Sequence, residues 1–544
     1  MIPSAATMWH RGRILFLTLL FTVTLPILAF AAEHDIIILH TNDIHCGVND
    51  NLAFAGLAEL KKMAQKETPN VLLVDAGDAI QGAPIGKLSD GESIVAIMNA
   101  IGYDFAAPGN HEFDYGMKQF LNLVPLMNYG PYSANIVDLR TGKLLLPPYK
   151  IIQVEDKKIA FVGATTPESL NSSSPTHFQD DKGNFIYGFS EDETGEALYK
   201  AIQKYVDEAR AKGADYVFLV SHLGVNGATP RWSSPVVAAK TRGITGIIDG
   251  HSHEQFENWH LLNKDGMETF IAQTGTKLQT VGKIVIKPDG TITHELIRDV
   301  DRKDPQIKSL VNKELGTYAA MLEKVVAKST VTLYSDDPVK GERIVRQREC
   351  SLADFMADAF RAVLNTDAAV INGGAVRKNL PPGNISYNSL IEAFPFENMC
   401  VVIETSGQSI LDALELGASK YPEENGGLLQ VSGIRYTIDA TIPSSVVTDE
   451  KGRFVSVSGA YRVKDVTIDG KPLDVKKTYT LGGSTYILKE GGNGMTMFHG
   501  AKLLQDGEIS DVEAGIKYVE DHLNGEIGDT YKNPYGDGRI TIKE

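Results

Sequence analysis

Short apolar runs recur along the first half of this chain, and each one ends beside a residue that can bind a metal ion or carry a proton. These stretches are Asp35 to Leu39, Val71 to Asp78, Tyr103 to Ala107, Tyr216 to His222 and Ile244 to Asp249. Their length and their β-branched residues predict buried strands, and helical patterns separate several of them. Strand-helix units of this kind favour an α/β fold in which the polar strand ends meet at one edge.

Polar side chains at these strand ends are the candidate site residues. Taken in order they are Asp43, His45, Asp78, Asn110, His111, Asp114, His222, His251 and His253. In isolation Asp78 would be interpreted as a turn or helix-cap residue, and a lone histidine at a strand end is usually structural. Their recurrence after similar apolar runs predicts one shared site instead.

The chemical types of these side chains indicate a pair of divalent metal ions. Without His111 and Asp114, two carboxylates, one amide and four imidazoles remain as candidate ligands. These seven exceed one tetrahedral shell, whereas two ions about 3.5–4 Å apart and bridged by one carboxylate would use them all. Oxygen and imidazole ligands suit zinc, manganese or similar ions. Such a pair lowers the pKa of a bound water, which is the chemistry of phosphate ester hydrolysis. His111 is left over for a proton or the transferring phosphoryl group, with Asp114 to fix its tautomer.

The N-terminus predicts export. Arg11 and Arg13 precede the apolar stretch Ile14 to Phe30, and Ala29 to Ala31 fits a small-x-small cleavage site. We therefore expect a signal peptide over residues 1–32 and a periplasmic, extracellular or cell-surface protein without stable membrane insertion after cleavage. An uncleaved anchor helix is the alternative.

Length, charge and cysteine content limit the function classes. A chain of 544 residues favours two or more domains. A formal net charge of -16 argues against a nucleic acid polymer as partner, although a bound metal still permits a small phosphate ester. Only three cysteines occur, Cys46, Cys350 and Cys400, so the fold does not depend on disulfides. For Cys46 a small buried thiol is favoured over a metal ligand.

The second half of the chain suggests a separate substrate-binding unit. A charged helical pattern from Asp304 to Lys328 predicts a linking helix, which gives domains at 33–300 and 336–544 joined by residues 301–335. In Asn372 to Arg377 the glycines, Gly374 among them, permit close backbone approach to a ligand, and Arg377 can grip an anion. Phe396 and Tyr486, on separate loops, either sandwich a flat ring or are core residues.

Four motifs in this order, Asp-x-His, Gly-Asp, Gly-Asn-His-Glu and Gly-His-x-His, resemble those of the calcineurin-like metallophosphoesterases. The octapeptide Gly109 to Gly116, followed by the Asn-Gly-Gly and glycine-aromatic loops of the second half, more specifically resembles the secreted 5'-nucleotidase family. The resemblance covers essentially all of the chain after the signal. It implies a four-layer α-β-β-α sandwich, joined by a helix to a second α/β substrate-binding domain that rotates to carry substrate to the metals.

The resemblance also implies residue roles. One metal would be held by Asp43, His45, Asp78 and His253, and the other by Asp78, Asn110, His222 and His251, with Asp78 bridging. His111 and Asp114 would form a catalytic dyad. Substrate would be bound by Arg346, Asn372, Gly374, Arg377, Phe396, Tyr486 and Asn493.

The expected reaction is hydrolysis of a 5'-nucleotide to nucleoside and phosphate by a metal-activated water. Asn493 stands where the family often has Asp, in a turn that contacts the sugar in relatives. A 2',3'-cyclic nucleotide phosphodiesterase and a nucleotide-sugar or dinucleotide hydrolase therefore stay open as alternatives. A non-catalytic nucleotide-binding protein is the second alternative, and the sequence leaves the oligomeric state undetermined.

Overall fold

A computed structural model describes residues 34–544, apart from residues 181, 227, 228 and 397 and the side chains of 507 and 508. The expected signal peptide, 1–32, lies outside the described residues. Within the described part, none of the helices combines the length and apolar character needed to cross a membrane.

The first sheet of the N-terminal half has five strands. Its order across the sheet is Ile292–Ile297, Val281–Ile286, Ile36–Thr41, Val71–Asp75 and Phe105–Ala106. The last three run parallel to one another, and the first two are antiparallel additions. The run predicted as a strand from Tyr103 to Ala107 is present as a strand of only two residues.

The second sheet has six strands. Their order is Gln255–Leu262, Glu268–Thr274, Gly246–Ile248, Tyr216–His222, Lys157–Thr165 and Tyr149–Val154. The four inner strands are parallel, and the two edge strands are antiparallel to their neighbours.

Alternating side chains build the layers of this half. Ile36 and Ile38 face the second sheet in a shared core, whereas Ile37 and Leu39 face the helices on the outside. Successive residues of a strand point to opposite faces, so one apolar strand supplies two cores. Phe161 likewise faces the first sheet, and Val162 packs under the outer helix Glu196–Ala211. The arrangement is the α-β-β-α sandwich that was predicted.

The helices of the N-terminal half are Ala53–Glu67, Pro84–Leu88, Glu92–Ile101, Gly116–Leu123, Ser169–Ser172, Glu196–Ala211 and Ser234–Lys240. The continuous helix expected from Met117 to Met127 ends early, and a 3-10 turn, Val124–Leu126, follows it. Pro125 explains the break, because proline has no N–H to donate to the preceding turn.

The linking helix is shorter than predicted. It spans Pro305–Leu322, starts at a side-chain cap by Asp304 and packs on the N-terminal half through Ile307 and Val311. Residues Val325–Ser329 form a strand that pairs with Gly383–Ser386 and Glu526–Ile527. The helical pattern expected to continue to Lys328 was therefore wrong, because β-branched residues follow Lys324 and find strand neighbours far along the chain.

A mixed five-stranded sheet forms the centre of the second half. Its order is Leu429–Ser432, Ala368–Asn372, Thr478–Ser484, Met399–Ser406 and Lys502–Ser510. One face packs under the helices Ser351–Leu364 and Asp511–His522, and the other packs against Gly407–Ala418. The remaining helices are Tyr387–Ala393 and Thr485–Leu488.

Smaller sheets complete the chain. In order across each sheet they comprise Lys143–Leu144, Val137–Asp138 and Tyr187–Gly188; Val446–Thr448 and Phe454–Val457; and Lys471–Pro472, Val463–Ile468, Ile434–Asp439 and Ile540–Lys543. All three cysteines are buried and free, which agrees with the expectation of a fold without disulfides.

Candidate active site

The carboxyl ends of the parallel strands of both sheets bring the predicted site residues together. Asp43 and Asp78 follow strands of the first sheet. In the second sheet, His222 is the last residue of its strand, and His251 follows another. Five of the seven proposed metal ligands have a left-handed backbone: Asp43, His45, Asp78, His251 and His253. Such conformations are uncommon outside glycine, and they concentrate at sites where side chains must be turned in a fixed direction.

Asp43, His45 and His253 form the first ligand cluster. One donor atom from each lies within 4.8 Å of the others. The two imidazole Nε2 atoms are 3.1 Å apart, and Asp43 Oδ1 lies 3.3 Å from Nε2 of His253. Burial opposes charge on Asp43, but His253 and His222 lower the pKa of its carboxyl to about 2.

Asp78, His222 and His251 form the second ligand cluster, again with donor atoms within 4.8 Å of one another. Asp78 Oδ2 is 3.0 Å from His222 Nε2 and 3.8 Å from His45 Nε2, so this oxygen lies between the two clusters. Burial opposes charge on His222, but Asp78 and Asp43 raise its pKa to about 10. Both clusters therefore place buried carboxylates directly beside imidazoles.

Backbone carbonyls orient two of the imidazoles. Nδ1 of His222 lies 2.6 Å from the carbonyl oxygen of Ala76, and Nδ1 of His45 lies 3.1 Å from that of Gln81. A proton on each Nδ1 satisfies these contacts and leaves Nε2 as a free donor atom for a metal.

Asn110 supplies a further oxygen. Its side chain is 2% exposed, and its Oδ1 has no hydrogen-bond partner among the described residues. A buried amide oxygen without a partner is costly, and a cation would satisfy it. Together with the facing imidazole nitrogens and carboxylates, this oxygen makes a donor set that fits two divalent ions of the zinc or manganese kind.

Glu112 fastens the two loops that carry Asp78 and Asn110. Its carboxylate accepts the backbone N–H groups of Asp78 at 2.8 Å, Ala79 at 2.7 Å and Gly109 at 2.6 Å. Gly77 lies where the two loops are closest. Its φ is 92°, and a Cβ there would lie 2.4 Å from the nitrogen of Gly109. The close approach of the loops therefore requires glycine at this position.

The predicted dyad is present as a hydrogen bond. Nδ1 of His111 lies 2.6 Å from Asp114 Oδ2, and the hydroxyl of Ser173 donates to Asp114 Oδ1 at 2.9 Å. Burial alone would lower the pKa of His111, but Asp114 and Asp78 raise it. The imidazole lies beside the first cluster, with its ring centre 5.4 Å from that of His45.

The predicted arginines of the second half lie near each other and are half-buried. Burial and the neighbouring Arg343 lower the pKa of Arg377 to about 10, and burial also lowers that of Arg346. The Nε of Arg346 has no hydrogen-bond partner among the described residues, and Glu424 contacts Arg343 at 3.0 Å and Arg346 at 3.8 Å. Half-buried guanidinium groups whose N–H donors are not all hydrogen-bonded within the protein can bind an anionic ligand.

Asn372 and Asn493 meet across two loops. Asn372 Nδ2 donates to Asn493 Oδ1 at 3.1 Å, and its own Oδ1 is buried without a partner among the described residues. The backbone N–H of Asn493 donates to the hydroxyl of Tyr486 at 3.2 Å. Gly374 lies against the first amide, because a Cβ there would be 3.0 Å from Asn372 Nδ2.

Phe396 lies between the dyad histidine of the first half of the chain and an arginine of the second half. Its ring centre is 5.6 Å from that of His111, and the guanidinium of Arg377 lies 5.0 Å from the ring centre. Tyr486 packs instead on the glycine turn at Gly492, and its hydroxyl donates to the carbonyl oxygen of Asn171. Both aromatic side chains are half-buried, so neither is a fully enclosed core residue.

Two glutamates that contact the site were not among the predicted site residues. Glu112 is part of the Gly-Asn-His-Glu motif, and its charge in a buried loop was a usable signal. Glu168 follows the end of the strand Lys157–Thr165 and lies 3.0 Å from Nε2 of His251. Its position after a parallel strand was the available signal, because the other site residues occupy equivalent positions.

Comparison with known families matches both halves of the chain. Residues 36–255 match the family model described as calcineurin-like phosphoesterase. Residues 325–500 match the one described as 5'-nucleotidase, C-terminal domain.

Individual relatives agree with this division. The chain is 28% identical over 477 residues to a 5'-nucleotidase of Vibrio parahaemolyticus, covering 78% of this chain and 81% of that protein. It is 27% identical over 531 residues to a trifunctional nucleotide phosphoesterase of Bacillus subtilis, covering 88% of this chain but only 33% of that protein. The crystal structure of a 5'-nucleotidase precursor from Thermus thermophilus superposes with a TM-score of 0.78 at 25% identity, covering 94% of this chain and 99% of that chain.

Proposed function

We propose, because the chain belongs to the family that joins a calcineurin-like phosphoesterase domain to a 5'-nucleotidase C-terminal domain, that it hydrolyses 5'-nucleotides to nucleosides and phosphate. The observation that carries the proposal is the position of Asp78 Oδ2 between the two ligand clusters, 3.0 Å from His222 and 3.8 Å from His45. A carboxylate shared by two cations is the central feature of a two-metal phosphoesterase.

Asp43, His45, Asp78 and His253 would hold one ion, and Asp78, Asn110, His222 and His251 the other. When bound, the two ions supply Lewis acidity and a water of lowered pKa for in-line attack on phosphorus. Metal analysis of the purified protein identifies the two ions, for which zinc and manganese are the expected candidates.

The dyad handles the proton and charge of the transferred group. Asp114 receives the Nδ1–H of His111 at 2.6 Å and so fixes the imidazole tautomer. The Nε2 atom is then the one left to contact a phosphoryl oxygen or to protonate the leaving oxygen. Ser173, which donates to the other Asp114 oxygen, holds the carboxylate in place.

Groups of the second half would bind the rest of the nucleotide. The half-buried guanidinium groups of Arg346 and Arg377 suit an anionic or hydroxyl-rich portion. Phe396 offers a half-buried face for a base, with Tyr486 as the proposed second ring. Asn372, Gly374 and Asn493 would contact the sugar through amides and backbone.

Asn493 favours hydrolysis of another class of nucleotide as the second candidate function. Its side chain offers a neutral amide that is already bonded to Asn372, so a charged acceptor for ribose hydroxyls is missing from this turn. A 2',3'-cyclic nucleotide phosphodiesterase, or a nucleotide-sugar or dinucleotide hydrolase, is therefore the alternative activity.

A phosphate-release panel tests the proposal. Protein freed of metal with a chelator is supplied with zinc, manganese or cobalt and offered nucleoside monophosphates, cyclic nucleotides, dinucleotides and sugar nucleotides. We expect metal-dependent release from monophosphates. Preferential turnover of another class selects the second candidate, and tight nucleotide binding without turnover in metal-replete protein indicates a binding protein.

We also propose that the protein is exported and that the chain divides into two domains. The signal sequence at 1–32 supports a periplasmic or surface location, which fractionation and N-terminal sequencing of the mature chain would test. Division at residues 301–335 is supported by the helix Pro305–Leu322 between the two matched regions. Limited proteolysis that released the two halves as stable fragments would support it.

A further inference from the structure

Glu168 is a buried carboxylate at the edge where the candidate site lies. It follows the parallel strand Lys157–Thr165 and is 7% exposed. The backbone turns at Thr166, whose N–H donates to the carbonyl oxygen of His222 at 3.0 Å. Glu168 is thereby tied to the strand end that supplies a proposed ligand.

Both carboxylate oxygens of Glu168 are engaged. Oε2 lies 3.0 Å from Nε2 of His251, and Oε1 accepts the backbone N–H of Thr229. The rest of the His251 ring is enclosed: its centre lies 5.2 Å from that of His222, and a Cβ on Gly224 would lie 3.1 Å from its Cδ2. Glu168, His222 and Gly224 therefore restrict the orientation of the His251 ring.

His251 is oriented in the reverse sense to the other ligating histidines described above. His45 and His222 turn Nδ1 toward backbone carbonyls and Nε2 toward the clusters. In His251 the Nε2 atom is directed to Glu168, so Nδ1 is the atom left for a metal. A neutral imidazole has only one N–H, and the acceptor beside it decides which nitrogen carries that proton.

The charge of one lysine in the second half of the chain also acts on this carboxylate. Lys420, just beyond the helix Gly407–Ala418, interacts electrostatically with Glu168. The carboxylate therefore contacts a proposed metal ligand and is also influenced by the charge of a lysine from the substrate-binding half.

We propose that Glu168 is a positioning residue, which holds the proton of His251 on Nε2 and thereby directs Nδ1 of His251 to the second metal ion. The inference rests on the proposed two-metal function and adds a residue to it. Partners of this kind typically contribute 10- to 100-fold to metal affinity.

The test measures metal binding without substrate. The full mature chain is stripped of metal and titrated with Mn²⁺ by calorimetry and with Co²⁺ by visible absorption, for the wild type, Glu168→Ala and Glu168→Gln. We expect Glu168→Ala to weaken one of the two sites about 10- to 100-fold and to change the Co²⁺ spectrum of that site, with the other site much less affected. Glu168→Gln keeps the size of the side chain and one acceptor oxygen, so its metal affinity at that site should lie between those of the wild type and Glu168→Ala.

Glu415→Gln is the matched control. Glu415 is fully buried and accepts backbone N–H groups from Arg462 and Val463 in the second half, so this variant also removes a buried carboxylate. It should bind both ions as the wild type does. A general loss of stability would weaken both metal sites in either variant, whereas the proposal requires a loss at one site in the Glu168 variants alone.

Wild-type affinity at both sites in a folded Glu168→Ala protein would overturn the inference. If that variant does not fold, Glu168→Gln decides: weaker binding at one site supports the inference, and unchanged binding at both sites overturns it. Neither result depends on turnover. If the wild type binds two ions but releases no phosphate, the proposed function fails while the role of Glu168 is still measured.

Discussion

The backbone N–H of His111 donates to Asp78 Oδ1 at 2.8 Å. The oxygen of Asp78 that faces the ligand clusters is Oδ2, so one carboxylate orients the dyad loop and lies between the two proposed metal positions. Metal binding and dyad geometry are therefore linked through a single side chain.

Asp78→Asn separates these two roles. The amide oxygen can still accept from His111, and Asn tolerates the φ of 58° at this position, but the negative charge is lost. We expect the bound metal to fall from two ions to at most one per chain. We also expect kcat/KM to fall more than about 100-fold, since even outer partners of metal ligands contribute that much. Elemental analysis and phosphate release measure both effects.

Asp90→Asn is the control for this change, because Asp90 is exposed and has a similar φ of 46°. It should retain both ions and full activity. Two bound ions in Asp78→Asn would contradict the bridging role.

Glu112→Gln should destabilise the protein even without metal. The carboxylate accepts backbone N–H groups from two separate loops, and an amide would turn an NH₂ group toward at least one of these donors. We expect the free energy of unfolding of the metal-free protein to fall by about 2–4 kcal/mol, the cost of leaving buried donors unpaired. Urea unfolding measures it. Glu92→Gln, on an exposed helix start, should change stability by less than about 0.5 kcal/mol.

The pair His40 and His294 should make the fold sensitive to acid. Their Nε2 atoms are 2.8 Å apart, and both Nδ1 atoms are buried without partners among the described residues. Burial and His294 hold the pKa of His40 well below its usual value, and burial lowers that of His294 to about 4. The unfolded chain takes up these protons near pH 6.5, whereas the folded chain resists until lower pH, so stability is lost as pH falls from about 6.5 toward 4.

His294→Gln tests this dependence while leaving a polar neighbour for His40. The decrease in unfolding free energy between pH 7 and pH 4.5 should become smaller by about 1–3 kcal/mol relative to the wild type. Substitution of the exposed His260 by Gln serves as control. An unchanged difference between the two pH values would rule out this pair as a source of acid sensitivity.

Phe396→Ala should mainly raise KM. The ring centre lies 5.6 Å from that of the dyad histidine and 5.0 Å from the guanidinium of Arg377, and the ring is only half-buried, which leaves part of it accessible to a base. Loss of one stacking face predicts an increase in KM of about 5- to 100-fold with a smaller change in kcat. Tyr486→Phe keeps its ring and should change KM less. A lower kcat with unchanged KM would show that Phe396 does not bind the base.

Local sequence pattern was sufficient for the strands that carry the site. The run from Tyr216 to His222 is a strand with those bounds, and the strand predicted from Asp35 to Leu39 is present as Ile36–Thr41. Apolar runs of this length bury both faces, which makes them visible without knowledge of their neighbours. The convergence of the polar strand ends followed from the parallel arrangement.

Features that depend on distant pairing were not predicted. Val325–Ser329 is a strand because it pairs with Gly383–Ser386 and with Glu526–Ile527, the latter about two hundred residues away in sequence. Glu112 and Glu168 act through backbone N–H groups and an imidazole on other loops, and these contacts depend on how distant loops pack together. Tertiary context therefore decided these positions rather than local propensity.

All the proposed metal ligands lie at or just beyond the carboxyl ends of the parallel strands. The opposite end of the first sheet therefore holds none of them. There, the turn at Asp289 and Gly290 joins Val281–Ile286 to Ile292–Ile297, and Ile286 pairs with Ile36 at the start of its strand. An affinity tag or a whole additional module spliced into this turn would be carried at a distance from the reacting groups. The molecule thus offers a natural attachment point for immobilisation or fusion.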